Sequence, residues 1–594
     1  MMRPAPWLLF LLAALPALAA PAPQPERPNI VFVLLDDAGF SDLGAYGSEI
    51  ATPHLDRIAQ EGVRFANFHT ASTCEASRVM LHSGVDHHRA GAGTLQVVIA
   101  ENQKGRPGYE GYLSDRVPSL GQLMRDGGYA TYYAGKWNIG NGLARSPGAR
   151  GWERYVALEQ TGADNYEAKV YAPFNDEALW WQDGQRLHPP PGFYSSRYYV
   201  DRLLHYIDEG RPAGKPFFAM LAFQAVHSPL QAPAEDIARY RGRYDAGWTQ
   251  VRQARYQRQV EMGLVPPGLT LPRNHLARDW ASLSGEEQRF EARKMEVFAA
   301  MLTSADRELG RLRDHLARSG ELERTVFIVM SDNGADAYDL SRLNLPFRAW
   351  YSAHYALAID TLGAKGSYVH YGQDWAEVSN TPFNLFKGSA GEGGMRVPLV
   401  IAAPGRITQP GRVTQQFAYA TDLLPTVLDL AGIALPSDDR GGTLHLPTGS
   451  SLMPYLEGRA ERVHAQDAVF GFEGTGAQAI FRGDYKLMRN PDPLPDKEWR
   501  LYRLDNDPTE SHDLSTAEPE VFRALLAEAR AYEQRVGVVL PEAGYQPLRQ
   551  LLRNNWPVLL RQLGPLFALA LAALAALAAL IFFAWRRAHR RVRA

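Results

Sequence analysis

The sequence is short of cysteine, since Cys74 is the only one in 594 residues. A single cysteine excludes an internal disulfide, so a packed core has to provide the stability of the fold without cross-links. A dominant charge is missing too, because 63 lysines and arginines stand against 65 aspartates and glutamates, which leaves a net charge of −2. This balance excludes a global attraction to polyanions, and we expect no nucleic-acid partner.

Both ends of the chain are apolar. At the start, Arg3 precedes the apolar run Trp7–Leu15, and an Ala-x-Ala pattern follows at 17–19. A basic residue, an apolar run of this length and a small-residue cleavage site are typical of a secretory signal peptide. We therefore assign residues 1–19 to a signal peptide and exclude them from the fold.

Near the other end, residues 566–585 carry no charge. As a helix with a rise of ~1.5 Å per residue, this run is about as long as the ~30 Å hydrocarbon core of a bilayer. It predicts a transmembrane helix, with the basic tail 586–594 on the cytoplasmic side and the upstream chain translocated by the signal peptide. The alternative is an Ala/Leu helix that packs against the folded domain.

Between the ends, unbroken apolar runs alternate with helical patterns over roughly 400 residues, which is typical of α/β domains with a buried sheet. The runs lie in NIVFVLLDD, YATYYAGKW, PFFAMLAFQAVH, TVFIVMSDNG and VPLVIAAPG. We predict an α/β domain at 27–449, with a large, mostly parallel mixed sheet sandwiched by helices. Short alternating segments predict a smaller C-terminal antiparallel sheet subdomain at 450–537. Residues 538–564 are interpreted as a juxtamembrane linker.

Acidic and amide side chains directly follow two of the buried runs. Asp36 and Asp37 end the first run, and Asp332 and Asn333 end another. If the two strands are neighbours, three carboxylates and one amide converge, and such hard oxygen donors suit Ca²⁺ or Mg²⁺ better than zinc. The alternative for either pair is a turn or a helix cap.

Positively charged and imidazole side chains also lie close to glycines or strand ends. These are Arg78, Lys136, His227 and Lys387. Together they predict a clamp for a tetrahedral anion, because its oxygens and the charge on a departing oxygen both need positive donors. The alternative, for each residue considered alone, is a solvated charge or an ordinary loop residue.

At these residues the chain resembles the sulfatase family. The segment CEASRVMLHSG is similar to the signature Cys-x-(Pro/Ala)-Ser-Arg, and the resemblance extends from about 29 to 537. It includes VLLDDAGFSDLGAYG, TPHLDRIAQEGVRFANFHT, GYATYYAGKW, AVHSPLQAP, MSDNGA, KGSAGEGGMRVP, ATDLLPTVLDLAG and LYRLDNDPTESHDLS. This resemblance implies the alkaline-phosphatase-like fold and is greatest toward bacterial arylsulfatases.

The resemblance implies that Cys74 is a precursor rather than a working thiol. In the family a maturation enzyme oxidises this cysteine to formylglycine, and the hydrated aldehyde attacks sulfur with one oxygen and expels sulfate through the other. Carried over by position, Asp36, Asp37, Asp332 and Asn333 would bind Ca²⁺, with Mg²⁺ as an alternative.

The remaining roles also follow from the resemblance. Arg78 would support the diol and the metal site, and Lys136 and Lys387 would bind sulfate oxygens. His227, together with Lys387, would help to protonate the leaving group.

Three positions depart from the family pattern. Asn138 stands where the family has a histidine, and an amide cannot accept a proton at neutral pH. We still count Asn138 among the substrate-binding residues. Ala76 replaces the commoner proline, and Glu75 occupies a position where small residues are usual. The insertion 335–375 is rich in aromatic residues, which either wall an aryl pocket or pack against the sheet.

We therefore expect a hydrolase for sulfate monoesters, aryl sulfates above all, that acts on a small molecule or a sulfated glycan. Its other partners would be a maturation enzyme for Cys74 and, through the C-terminal helix, the membrane. The expected location is a bacterial inner membrane, crossed once, with the catalytic domain in the periplasm. The alternatives are a phosphate mono- or diesterase of the same superfamily and a binding homologue with little or no activity.

Overall fold

The computed structural model describes residues 27–209, 211–212, 214–273 and 277–592. The predicted signal peptide and the last two residues of the basic tail lie outside this part of the chain.

Strands are numbered in chain order. They are β1 (Asn29–Leu35), β2 (Val63–Phe65), β3 (Phe68–His69), β4 (Ala130–Lys136), β5 (Arg154–Leu158), β6 (Trp180–Gln182), β7 (Gln185–Arg186), β8 (Phe217–Ala222), β9 (Thr325–Ser331), β10 (Leu399–Ala402), β11 (Val413–Thr414), β12 (Ala418–Tyr419), β13 (Val469–Gly474), β14 (Ala477–Arg482), β15 (Tyr485–Arg489) and β16 (Arg500–Arg503).

Helices are numbered in the same way. They are α1 (Pro53–Glu61), α2 (Cys74–Ser83), α3 (Leu120–Asp126), α4 (Ser195–Asp208), α5 (Ala234–Ala238), α6 (Trp248–Glu261), α7 (Gly285–Arg318), α8 (Leu345–His354), α9 (Gln373–Ser379), α10 (Glu392–Met395), α11 (Leu423–Ala431), α12 (Met453–Leu456), α13 (Pro519–Val536), α14 (Pro547–Asn554) and α15 (Trp556–Val592).

Ten strands form the large sheet, in the order β11-β2-β10-β9-β1-β8-β4-β5-β6-β7. The central strands β9, β1, β8, β4 and β5 run parallel, whereas β10 and β6 run antiparallel to their neighbours. The predicted large mixed sheet of an α/β fold is therefore confirmed. The parallel centre brings the carboxyl ends of these five strands to one edge, where ligands of such sheets bind.

The apolar runs are continuous because both faces of the sheet are covered. In β1, Val31 and Val33 join a core cluster with α4 and α7, whereas Ile30 and Phe32 face the opposite way into a cluster with α2 and α11. Alternate side chains of one strand thus anchor both helical layers.

The smaller antiparallel sheet has the order β13-β14-β15-β16, as the alternating segments predicted. On one face, Ile480 and Leu487 pack against Leu525 of α13. On the other face, Phe481 and Met488 belong to the same core cluster as α2 and α11. The small sheet is therefore held against the large domain by a shared apolar core.

Segment 538–564, expected to be a linker, packs on the domain over much of its length. Leu559 and Leu563 of α15 are buried in a cluster with aromatic residues of the 335–375 insertion. Six aromatic side chains of the insertion are buried: Phe347, Trp350, Tyr351, Tyr355, Tyr368 and Tyr371. Packing, rather than lining of an open pocket, accounts for these aromatic residues, because a long insertion needs its own small core.

Beyond Gly564, α15 continues as an exposed apolar helix. Its stretch Phe567–Arg587 is long and apolar enough to cross a membrane. It is the one stretch of the described residues that meets both criteria. The stretch nearly coincides with the predicted span 566–585.

Candidate active site

Four neighbouring strands of the large sheet end at one site. In β1 and β9, Leu35 is paired with Ser331, so the residues that follow both strands emerge side by side. The Asp37 backbone N–H donates to Asp332 Oδ1 at 3.2 Å, although 295 residues separate them in the chain. The expected convergence of the two acidic pairs is therefore present in the fold.

Cys74 is the first residue of α2, and its side chain is 1% exposed. Its Sγ atom lies 3.5 Å from Asp36 Oδ1 and 3.7 Å from Asp37 Oδ1. Burial and the charge of Asp332 raise the pKa of the Cys74 thiol well above its usual value. A thiol held in its neutral form is a poor nucleophile, so this geometry does not favour chemistry by the unmodified cysteine.

The three aspartates at the site are fully buried and close to one another. Burial raises the pKa of Asp36 to about 7 and also raises the pKa of Asp37. The pKa of Asp332 is lowered, because the charges of Arg78 and Lys136 outweigh the effect of burial. Crowded buried carboxylates of this kind are stabilised by a cation between them.

The donor set fits a hard divalent cation. One ligand atom each from Asp36, Asp37, Cys74 and Asp332 lies within 4.8 Å of all the others. The Asn333 Nδ2 group donates to Asp37 Oδ1 at 2.7 Å, whereas its buried Oδ1 has no hydrogen-bond partner among the described residues. An unpaired buried oxygen beside three carboxylates is a suitable ligand for Ca²⁺ or Mg²⁺.

Two lysines reach the site from different segments of the chain. Lys136 Nζ donates to both oxygens of Asp36 at 2.8 and 2.6 Å, and Lys387 Nζ donates to both oxygens of Asp37 at 2.7 and 2.8 Å. Burial would lower the pKa of Lys387, but Asp37 raises it well above its usual value. Both ammonium groups therefore neutralise carboxylates of the cluster through charge-assisted hydrogen bonds.

Arg78 lies one helical turn after Cys74 and is 1% exposed. Its Nε donates to Asp332 Oδ2 at 2.9 Å, and its Nη1 donates to the Lys136 carbonyl at 2.7 Å. The guanidinium thus ties α2 to β9 and β4, which fixes the start of α2 against the sheet.

His227 follows β8 and faces the same site. Its Nδ1 contacts the Ser228 carbonyl at 2.6 Å, so Nδ1 carries the hydrogen and Nε2 is the ring atom left to face the carboxylates. Nε2 lies 3.8 Å from Asp37 Oδ2. Burial and the charges of Lys136 and Lys387 lower the pKa of His227 well below its usual value.

Asn138 comes two residues after β4 and is 9% exposed. Its backbone has φ 55°, and its buried Nδ2 has no hydrogen-bond partner among the described residues. A donor left unpaired in a buried position is available to a bound ligand.

Glu75 is buried and turned toward a neighbouring loop. Its Oε2 accepts from the Gln96 backbone N–H at 2.7 Å, and burial raises its pKa to about 7. The structure accounts for Glu75 as a hydrogen-bond acceptor that holds the loop containing Gln96.

Three further residues lie at the site without having been expected from the sequence. Asp336 Oδ2 is 3.9 Å from Lys387 Nζ and 3.5 Å from His370 Nε2. The ring of Tyr171 stands edge-on to His227, with 5.3 Å between the ring centroids. Asp336 is only three residues beyond Asn333 and was within reach of sequence reasoning, whereas nothing in the local sequence marks Tyr171.

Comparison with known protein families gives two matches along the chain. The family described as Sulfatase matches residues 28–433. The family described as N-sulphoglucosamine sulphohydrolase, C-terminal, matches residues 387–530. Together the matches cover the large sheet and the smaller antiparallel sheet.

Two relatives align over most of the chain. An uncharacterized sulfatase of Schizosaccharomyces pombe is 35% identical over 87% of this chain and 95% of its own length. An arylsulfatase of Klebsiella aerogenes is 33% identical over 70% of this chain and 89% of its own length.

The fold is similar to those of solved structures. The crystal structure of Ps i-CgsB in complex with k-i-k-neocarrahexaose has a TM-score of 0.60 at 21% identity, covering 90% of this chain and 97% of the other. A structure in complex with its substrate D-glucosamine-2-N,6-O-disulfate has a TM-score of 0.57 at 19% identity, covering 86% and 98%. At these identities the likeness concerns the fold alone.

Proposed function

The chain belongs to the sulfatase family of sulfuric ester hydrolases, and from this premise we propose that it hydrolyses sulfate monoesters, aryl sulfates among them, at the Cys74 site. The observation that carries the proposal is the position of Cys74. The residue begins α2 and is buried. Its Sγ atom lies 3.5 Å from Asp36 and 3.7 Å from Asp37, the two carboxylates that follow the carboxyl end of β1.

Asp36, Asp37, Asp332 and Asn333 would hold Ca²⁺, with Mg²⁺ as the alternative. The cation would supply Lewis acidity toward a sulfate oxygen, and formylglycine at position 74 would supply the hydrated aldehyde as nucleophile. The unpaired Oδ1 of Asn333 and the three crowded carboxylates support this assignment.

The lysines and His227 would handle the anion. Lys136 and Lys387 bond to carboxylates in the structure, and they would bind sulfate oxygens when the substrate is present. Lys387 Nζ and His227 Nε2 both lie on the Asp37 side. Lys387 would donate to the leaving oxygen of the substrate, and His227 would help once its Nε2 has taken up a proton, since in the neutral ring the hydrogen is on Nδ1. Arg78 positions the start of α2, and Asn138 offers its free Nδ2 to the substrate.

We further propose that Phe567–Arg587 crosses a bacterial inner membrane once and leaves the catalytic domain in the periplasm. The length, apolarity and exposure of this stretch support the span. The basic residues after it support a cytoplasmic tail.

The decisive experiment examines the peptide around Cys74 and the activity of the same preparation. We expect protein from its native host to carry an aldehyde at position 74 and to cleave p-nitrophenyl sulfate faster than p-nitrophenyl phosphate. Cys74→Ala is expected to lower turnover by at least about 1,000-fold, because it removes the precursor of the nucleophile.

Met80→Leu is the matched control, since it changes a buried core residue on the same helix. This variant should retain its activity. An intact thiol in a fully active preparation, or faster hydrolysis of the phosphate ester, would overturn the proposal.

A further inference from the structure

The segment 538–564, called here the pre-span segment, is fastened to a loop beside the candidate active site. Tyr545 donates to the Val98 carbonyl at 2.7 Å, and Asn554 Nδ2 donates to the Ile99 carbonyl at 2.9 Å. The same loop contains Gln96, whose N–H bonds to Glu75, the neighbour of Cys74. The pre-span segment is therefore linked to Cys74 through the loop that contains Gln96 and through Glu75.

The start of α15 is fastened to the 335–375 insertion and to Asp176. Gln562 Oε1 accepts from Trp350 Nε1 at 3.2 Å, and Arg561 pairs with Asp176 at 2.5 Å. Leu559 and Leu563 are buried in the aromatic cluster that also contains Tyr171. Since Tyr171 stands edge-on to His227, this cluster extends from α15 to the candidate active site.

No flexible connection separates this docked part from the apolar stretch. Helix α15 is continuous through Gly564 and Pro565, so Phe567 lies only about 6 Å along the helix axis from buried Leu563. A bilayer that receives Phe567–Arg587 therefore lies close to the aromatic cluster beside His227.

Exposed apolar side chains outside the span concentrate in two segments that pack against each other. Most of the large ones belong to the pre-span segment or the 335–375 insertion: Tyr338, Leu345, Leu548, Trp556 and Leu560. Tyr338 packs edge-on against Phe386, the residue before Lys387. Tryptophan, tyrosine and leucine at such positions are typical of a surface that contacts the lipid interface.

We propose that the pre-span segment holds the mouth of the candidate active site against the bilayer and that the substrate is an amphiphilic sulfate ester embedded there. The proposal rests on the sulfatase function above and adds a substrate class. The sulfate group of the ester would reach Lys136 and Lys387 at the level of the lipid headgroups. The apolar part of the ester would stay in the hydrocarbon layer. In the net reaction one water is consumed: the S–O bond to the ester oxygen breaks, that oxygen takes a proton and remains in the bilayer as the alcohol or phenol, and sulfur keeps the hydroxyl and leaves into solution as hydrogen sulfate.

The test compares two aryl sulfates with the full chain reconstituted in phospholipid vesicles. One is para-hexadecylphenyl sulfate embedded in the bilayer, and the other is water-soluble p-nitrophenyl sulfate. A flexible Gly/Ser segment is inserted between Gly564 and Pro565, which frees the docked part from the span. We expect turnover of the embedded ester to fall about tenfold, because the fixed orientation is lost, while turnover of the soluble ester stays the same.

The matched control carries the same insertion between Gly441 and Gly442, in an exposed loop, and should hydrolyse both esters as before. An unchanged ratio of the two rates after the insertion at Gly564, or a sulfated oligosaccharide that is cleaved faster than the embedded ester, would overturn the membrane proposal. Failure of every protein to cleave the soluble ester would instead overturn the sulfatase proposal.

Discussion

Two residues of the candidate site have positive φ angles, which are uncommon for residues other than glycine. Asp37 has φ 63° and Asn138 has φ 55°. Residues other than glycine held in this region cost on the order of 1 kcal/mol or more, and they persist where the surrounding structure fixes them. Asp37 is fixed by Asp332 and Lys387, which implies that the fold accepts this cost to aim its carboxylate.

At position 138 the backbone also allows the residue that the family usually has. Histidine, like asparagine, is enriched at positive φ. We expect Asn138→His to raise kcat for p-nitrophenyl sulfate by about tenfold or more, because an imidazole can take part in proton transfer whereas an amide cannot. Steady-state kinetics over a range of pH would measure the change, and a new pH dependence should accompany the gain.

The matched control for this variant is Asn141→His, three residues along the same loop and exposed. It should leave kcat unchanged. If Asn138→His also leaves kcat and its pH profile unchanged, turnover does not depend on this position.

The sequence was informative about residues that directly follow buried strands. Asp36, Lys136 and Asp332 come within one residue of a strand end, so the topology of a parallel sheet brings them together. Asp336 was missed although it follows Asn333 by only three residues, whereas Tyr171 was missed because its place depends on how a long loop returns to the sheet. The contact of Tyr171 with His227 follows from tertiary packing, which no local pattern encodes.

At the level of elements, a buried ionic cluster joins β15 to α10. Lys486 Nζ donates to Glu392 Oε1 at 2.8 Å and to Glu510 Oε1 at 2.7 Å. His69 and Arg396 contact the same Glu392 carboxylate. Lys486 is completely buried between two acids, so it links the small sheet to the large domain with little competition from water.

We expect Lys486→Met to lower the free energy of unfolding by about 3–5 kcal/mol, because it leaves two buried carboxylates without their ammonium partner. Guanidinium unfolding followed by tryptophan fluorescence would measure the loss. Lys497→Met removes an exposed lysine that pairs with Asp492 and should change stability by less than about 0.5 kcal/mol. Equal effects of the two substitutions would show that the buried cluster does not stabilise the chain.

The sequence predicted the elements better than their arrangement. The buried runs became β1, β4, β8, β9 and β10, but β1 pairs with β8 and β9, about 190 and 300 residues away. The antiparallel direction of β10 was not predicted, because an apolar run looks the same in either direction. Docking of the pre-span segment was missed for a related reason, since the surface that buries Leu559 is built by a distant insertion.

For the molecule as a whole, stability has to come from the packed core, because the chain has no disulfide. A cation bound to the carboxylate cluster would add to it. Asp36, Asp37 and Asp332 join β1 to β9 at the centre of the large sheet. A cation bound there favours the folded chain alone, since these carboxylates are far apart in the unfolded chain. Its binding therefore adds to the global stability as well as to the chemistry.

We expect Ca²⁺ at about 100 times its dissociation constant to stabilise the protein by about 2.7 kcal/mol, which for a chain of this size raises Tm by about 2–3 °C. Thermal unfolding in EDTA, in Ca²⁺ and in Mg²⁺ would measure the shift.

Asp332→Asn should abolish the shift in Tm because it removes a ligand charge. Asp115→Asn changes an exposed aspartate on another loop and should preserve the shift. The larger shift of the two identifies the cation that fits better, and the absence of a shift with both would exclude this cluster as a divalent cation site, because a ligand that binds only the folded state must raise Tm.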